Sequence, residues 1–204
     1  MPTDIKNMGS ENTKRYEQQH QKAIDAAAFV FASKGYHGAS TKDIATHLGI
    51  RQGSLYYYFT SKEKALEEVC LTAIMRYVGK MEPIFNQALP FEEKLSMAIK
   101  AHLSSYREHN AALSVHNEQR LYLPKNRRDK LKELGSTYRQ HLEHIFIEGV
   151  KSGQLRQNLD SHFSALSLIG LCNYWGSMLS RDRELNLDNI IQKCTDITLN
   201  GCYQ

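Results

Sequence analysis

Apolar residues recur every three to four positions along most of this chain, as Ala23, Ile24, Ala27, Val30 and Phe31 do near its start, while alternating runs and hairpin dipeptides are absent. The pattern predicts an all-α protein of about nine helices. A first helix is expected over about 17–34, with Gly35 past its end. A fourth starts near Thr60, where Thr60 and Glu63 read as a capping box, and runs toward Lys80. Pro83 and Pro90 then punctuate the chain. Further helices are expected at about 91–109, 111–121, 125–151, 161–180 and 187–202, separated near Asn110, Pro124, Ser152-Gly153 and 181–186.

Between the first and fourth helices lie two short ones. Ile44, Leu48, Ile50, Leu55 and Phe59 give each a buried face and leave the other free for a partner. Gly49 stands where the first must end and the chain must turn, a position favouring positive φ. Ser40 with Asp43 fits an N-cap and an acid at N3, and Ala45 is small enough for two helices to cross closely there. This is the layout of a helix-turn-helix, with a recognition helix over about 52–58. The groups it would offer to base edges are Gln52, Gly53, Ser54 and Tyr57, with Arg51 at its start. Leu55 and Phe59 should point inward.

Tyr16 to Arg76 resembles the DNA-binding domain of TetR/AcrR-family repressors. The likeness rests on Ala27, Phe31, Gly35-Tyr36, Ser40-Thr41, Ile44-Ala45 and Leu48-Gly49. It is strongest in Gly53-Ser54-Leu55-Tyr56-Tyr57-Tyr58-Phe59, followed by Ser61-Lys62-Glu63 and Leu66. The resemblance implies phosphate contacts from Thr41, Lys42, Tyr56, Tyr58 and Lys62, which would fix register on a duplex without reading sequence. Gly53 departs from the proline or alanine of some relatives. A second resemblance, from Gly153-x-Leu155-Arg156 through Asp160 to Gly170-x-x-Asn173, is to the C-terminal halves of TetR regulators of fatty-acid or steroid breakdown, some of which respond to acyl-CoA.

With 204 residues the chain has room for a real core and two halves. The expected division is a polar mobile arm at 1–13, a helix-turn-helix domain at 14–60, a connecting helix at 61–80 and an effector-binding and dimerisation domain at 81–204. The net charge is only +4, so phosphate contacts must come from a few placed groups, and a protein coating any DNA would carry a larger basic surface. A ligand-independent architectural DNA binder is therefore the alternative to a repressor released from a palindromic operator by a small molecule. Four cysteines without a Cys-x-x-Cys pair and the lack of a secretory signal fit reduced thiols in a cytoplasm. The stretch Phe163 to Leu179 is interrupted by Asn173 and falls short of the roughly 20 residues a membrane span needs.

The helix from Ser161 mixes bulky with small residues. In the family resembled, the last two long helices build a dimer four-helix bundle; the plainer reading is internal packing. His102, Tyr106, Asn173, Tyr174 and Trp175 are candidate effector groups, amphipathic enough to hold a largely apolar, acyl-CoA-like ligand by a few polar points. His102, His109 and His116 recur every seven residues, about 10 Å of helix rise, too far for neighbours to share a metal. No metal, cofactor or catalytic constellation is expected. The run Lys125-x-Arg127-Arg128-x-Lys130 reads as a solvated helix start or as an anion site for a ligand phosphate.

Overall fold

The computed structural model describes the backbone of residues 4–202 and the side chains of 13–202. Among these residues are nine α-helices and no strand: α1 (Asp4–Gly38), α2 (Thr41–Leu48), α3 (Gln52–Leu55), α4 (Lys62–Phe85), α5 (Phe91–Glu108), α6 (Asn110–Gln119), α7 (Lys125–Lys151), α8 (Ser161–Arg181) and α9 (Leu187–Cys202). A 3-10 turn at Arg120–Tyr122 joins α6 to α7. No described helix is long and apolar enough to cross a membrane.

The boundaries depart from the hydrophobic pattern where polar residues decide them. Of the arm expected at 1–13, residues 1–3 lie outside the described ones, and from Asp4 the backbone is already helical, well before the expected start near Glu17. Exposed polar residues such as Lys14 and Arg15 supply no apolar stripe to mark the helix. Gly35 breaks the helical path at φ 69°, a left-handed value that a side chain would resist. Ser61, not Thr60, caps α4: its hydroxyl accepts the Lys64 N–H at 3.1 Å. Pro83 does not end that helix. Its fixed φ suits the last turn, and only one backbone bond is forfeited before the helix stops at Phe85.

α1, α2 and α3 form a head resting on the first turns of α4. Ala23, Ala27 and Phe31 are fully buried on one face of α1, and the alanines let neighbouring helices approach closely. Ile44, Leu55 and Phe59 close this core from α2 and α3, each side chain contributing about 1.5–3 kcal/mol by burial. α4 continues into a body where it packs on α5, α6 and α7, while α8 covers α5 and α7 and α9 covers α5. The four cysteines are free and buried here, and burial pushes the Cys70 thiol up to about 12 and raises the other three.

Candidate DNA interface and ligand cavity

The head presents α3 through a rigid frame. Ser40 Oγ accepts the Asp43 N–H at 3.1 Å and the Asp43 carboxylate accepts the Ser40 N–H at 2.9 Å, so the expected capping box is formed. Hydrogen bonds from Lys34 and then Ser40 hold the Asp43 carboxyl down at about 2. Gly49 ends α2 at φ 74°, as its placement in the turn predicts. Arg51, Gln52, Gly53 and Ser54 are all exposed, and Leu55 and Phe59 point inward. Open space surrounds Gly53, so nothing in the packing requires a glycine there. α3 is shorter than the helix expected to reach Tyr58. After Leu55 the chain tightens into a turn, with Tyr58 N–H on the Leu55 carbonyl at 2.9 Å.

That turn sends the three tyrosines different ways. Tyr56 and Tyr57 are exposed, while Tyr58 is half-buried, its ring stacked near Tyr16 and His20 of α1. Tyr16 meets Tyr57 edge-on at 5.4 Å. This aromatic brace was not foreseen, because its partners lie some forty residues apart in sequence. Thr41 is half-buried and Lys42 exposed on the first turn of α2, and the Gln52 amide donates to Thr41 Oγ1 at 3.1 Å. Lys62, expected at a phosphate by the resemblance, also serves the protein's own packing. Its ammonium donates to the carbonyls of Tyr36 and Ala39 at 2.9 and 3.0 Å and sits 4.5 Å over the Tyr36 ring, so it fastens the end of α1 to α4.

In the body, a cavity of about 510 Å³ opens to solvent among α4, α6, α7 and α8. Ile74, Leu131 and Ile169 give it apolar walls, and Arg120, Arg128, Lys132 and Arg139 add cations, of which Lys132 and Arg139 are exposed. Arg128, Lys132 and Arg139 share one face of α7 with Leu131 and Tyr138. The basic start of α7 is thus partly a cavity wall, while Arg127 pairs with Glu67 of α4 at 2.7 Å. Buried at the inner wall, His102 Nδ1 meets the Tyr138 hydroxyl at 2.6 Å and its Nε2 meets Asn173 Oδ1 at 3.2 Å. Asn173 Oδ1 also accepts from Tyr106, whose hydroxyl accepts from Asn117. Because Asn173 Oδ1 can only accept, His102 carries its proton on Nε2, and Tyr138 donates to Nδ1. Burial holds His102 at about 4 and, with the Arg120 charge, His116 at about 4, so both are neutral at pH 7.

The aromatic candidates divide accordingly. His102 and Asn173 line this cavity. Tyr106 and Tyr174 instead line a second, more polar pocket that shares Asn117, Arg120 and Asn173 with it. Trp175 lines neither and packs edge-on against Tyr174 at 5.6 Å. Tyr77, Tyr138 and His116 are cavity residues that sequence reasoning missed. Among the described residues, no group of three or more His, Cys, Asp or Glu side chains is placed to hold a metal ion.

A helix-turn-helix head that shares α4 with a hollow helical body and packs α1 against its α6 defines a DNA-binding regulator with a sensory domain. The family model for bacterial regulatory proteins of the tetR family matches residues 23–69, and that for the tetracyclin repressor-like C-terminal domain matches residues 88–202. The chain belongs to the tetR family. It is 30% identical over 161 residues, 77% of its own length and 81% of the relative's, to the fatty acid metabolism regulator protein of Bacillus subtilis. Its fold is similar to that of the TetR-family regulator PfmR from Thermus thermophilus, with TM-score 0.81 and 25% identity over 87% of this chain and 97% of that one. It is also similar in fold to the regulator FadR from Bacillus subtilis solved with stearoyl-CoA, with TM-score 0.74 and 24% identity over 89% and 98% of the two chains.

Proposed function

We propose that this protein represses transcription as a homodimer on a pseudo-palindromic operator and releases it when a long-chain acyl thioester enters the body cavity. The observation that carries this reading is the cavity itself, whose apolar walls suit an acyl chain and whose four cations suit the phosphates of a coenzyme A moiety. The fatty-acid relative and the stearoyl-CoA complex of a similarly folded protein support the same ligand class. Thr41, Lys42, Arg51, Gln52, Gly53, Ser54, Tyr56 and Tyr57 make the DNA-facing surface of the head, and Tyr58 and Lys62 set its shape. No chemistry is catalysed, and the cytoplasm is the compartment in which such a regulator meets DNA and thioesters.

Two struts couple cavity to head. α4 carries Ile74 and Tyr77 in the cavity wall and Leu66 and Val69 in the packing beneath the head. The segment after α6 carries Arg120 in the wall, while Gln119 donates to the Phe31 carbonyl of α1 at 2.9 Å and Tyr122 stacks on Tyr36 at 5.7 Å. A ligand that prefers a different spacing of these walls shifts the head, and in a dimer the distance between two recognition helices sets operator affinity. The dimer face is the outer side of α8, where Phe163, Leu166 and Tyr174 are exposed around Gly170, with Ile197 of α9 also exposed.

The test uses duplex DNA selected by the protein from a random pool, titrated in a fluorescence-anisotropy assay with and without palmitoyl-CoA. The expected result is tight binding without ligand, at least about tenfold weaker binding with it, and a higher melting temperature of the DNA-free protein. Unchanged affinity across chain lengths, with no thermal shift, would leave the constitutive DNA-binding alternative in its place.

A further inference from the structure

Two of the cavity walls, α4 and α7, are tied together at the end nearest the head by an ion pair. The Arg127 guanidinium donates to Glu67 Oε2 at 2.7 Å. Glu67, Ile74 and Tyr77 follow one face of α4, as Arg127, Leu131 and Tyr138 follow one face of α7. Beyond the ion pair, Ile74 and Leu131 line the cavity from the two helices, and the Tyr77 and Tyr138 rings meet at 5.5 Å. A ligand that enters between these faces works against the Arg127–Glu67 contact.

The start of α7 depends on charge from outside the helix. Its first turn holds no acidic residue, and Pro124 before it supplies no side-chain cap, while Lys125, Arg127 and Arg128 bring three cations. Cations there face the positive end of the helix dipole, so an anion steadies that turn. Glu67 is the anion that Arg127 finds. Arg128, one position on, lines the cavity with its Nε buried and without a hydrogen-bond partner. A phosphate-bearing ligand supplies a second anion from the cavity side.

Glu67 also leads into the head. Lys64 donates to the same Glu67 oxygen at 3.2 Å and lies 3.5 Å from Glu68, whose carboxylate is 2.8 Å from His20 Nε2 of α1. The His20 ring packs 6.2 Å from Tyr58 and 5.8 Å from Phe59, in the turn that follows α3.

Resting on the repressor reading above, we propose that Arg127 and Glu67 form a clasp that holds α4 and α7 at the spacing suited to DNA, and that the acyl thioester opens it. Both are positioning residues, since neither lines the cavity. The pair counts only in the closed arrangement. Losing it raises the fraction of protein ready for ligand and lowers the apparent dissociation constant of the thioester. By linkage the operator, which takes the closed arrangement, is held no more tightly than before.

The test compares the full-length unaltered protein with Arg127→Gln and Glu67→Gln, which lose the same pair with opposite changes of charge. Calorimetric titration of the DNA-free protein with palmitoyl-CoA gives thioester affinity, and anisotropy with the selected duplex gives operator affinity. Both variants are expected to bind palmitoyl-CoA at least about threefold more tightly and the operator equally or less tightly. Arg127→Gln is the decisive variant, because loss of a cation by itself weakens the binding of an anionic ligand. Thioester affinity unchanged or reduced in Arg127→Gln overturns the proposal, and so does a tighter operator in Glu67→Gln, because those shifts follow the charge or a loss of structure. An unaltered protein that does not bind palmitoyl-CoA overturns the proposed function and this inference with it. A melting curve of each ligand-free variant reports its folding. Glu67→Gln titrated in about 0.3 M salt, which screens the altered charge, decides the matter if Arg127→Gln does not fold.

Discussion

The head and the body of this protein solve opposite problems with the same kind of helix. In the head, alanines on α1 and the fully buried Phe31, Ile44 and Phe59 make a tight apolar core, and Ser40 and Ser61 cap α2 and α4. The body buries His102, His116, Ser105, Gln119 and the ammonium-bearing Lys94, and surrounds a cavity with polar groups lacking partners. A part that must present a fixed surface is packed to one geometry, whereas a part that must change with a ligand holds interactions in reserve.

The largest test of that contrast lies in the head. Phe59→Ala should cost roughly 3–5 kcal/mol in urea denaturation and abolish operator binding, because a fully buried ring leaves a hole between α1 and α4. A loss below about 1 kcal/mol would mean the head is loosely packed after all.

Acid should act on the body instead. His102 and His116 are held at about 4 against an ordinary 6.5, so between these values the unfolded chain binds more protons than the folded one. Their stability contribution is complete above pH 6.5 and is lost as pH falls toward 4, roughly 2 kcal/mol for each histidine between pH 7 and pH 5. Urea midpoints that stay constant over that range would remove the contrast between a dry head and a polar body.

The smallest expected effect concerns the junction. Lys62→Met should lower stability by about 2 kcal/mol, since it removes an ammonium bonded to two carbonyls, and should leave the salt dependence of DNA binding unchanged. A lysine acting on phosphate would do the reverse, lowering the salt slope by about one unit with little change in stability.

Legibility in the sequence follows the same division. Helix positions, the Ser40–Asp43 box and the Gly49 turn could be read because each depends on residues a few positions apart. The exposed Arg51, Gln52, Gly53 and Ser54 and the inward Leu55 and Phe59 came from the same periodicity. The early start of α1 escaped because a polar turn has no apolar stripe. The cavity escaped for a different reason. His102 and Asn173 meet across 71 positions, and no local pattern records that pairing. Trp175 was chosen with His102, Tyr106, Asn173 and Tyr174 as an amphipathic group, yet it lines neither cavity, and Tyr77 and Tyr138 stand in the wall instead. One local clue was present: Arg128, Lys132 and Arg139 recur at helical spacing beside Leu131 and Tyr138, and a basic face interleaved with buried apolar residues is more than a solvated surface.

The four buried cysteines have a practical consequence. Thiols held this far above neutrality and out of solvent react slowly with maleimides and methanethiosulfonates, which attack the thiolate. A single cysteine introduced at exposed Thr46 of α2 becomes the fast-reacting site of an otherwise quiet chain. In the proposed dimer, paired spin labels or fluorophores attached there would convert the separation of the two heads into a distance measured in solution, and the width of its distribution, with and without thioester, tests whether the proposed ligand moves them.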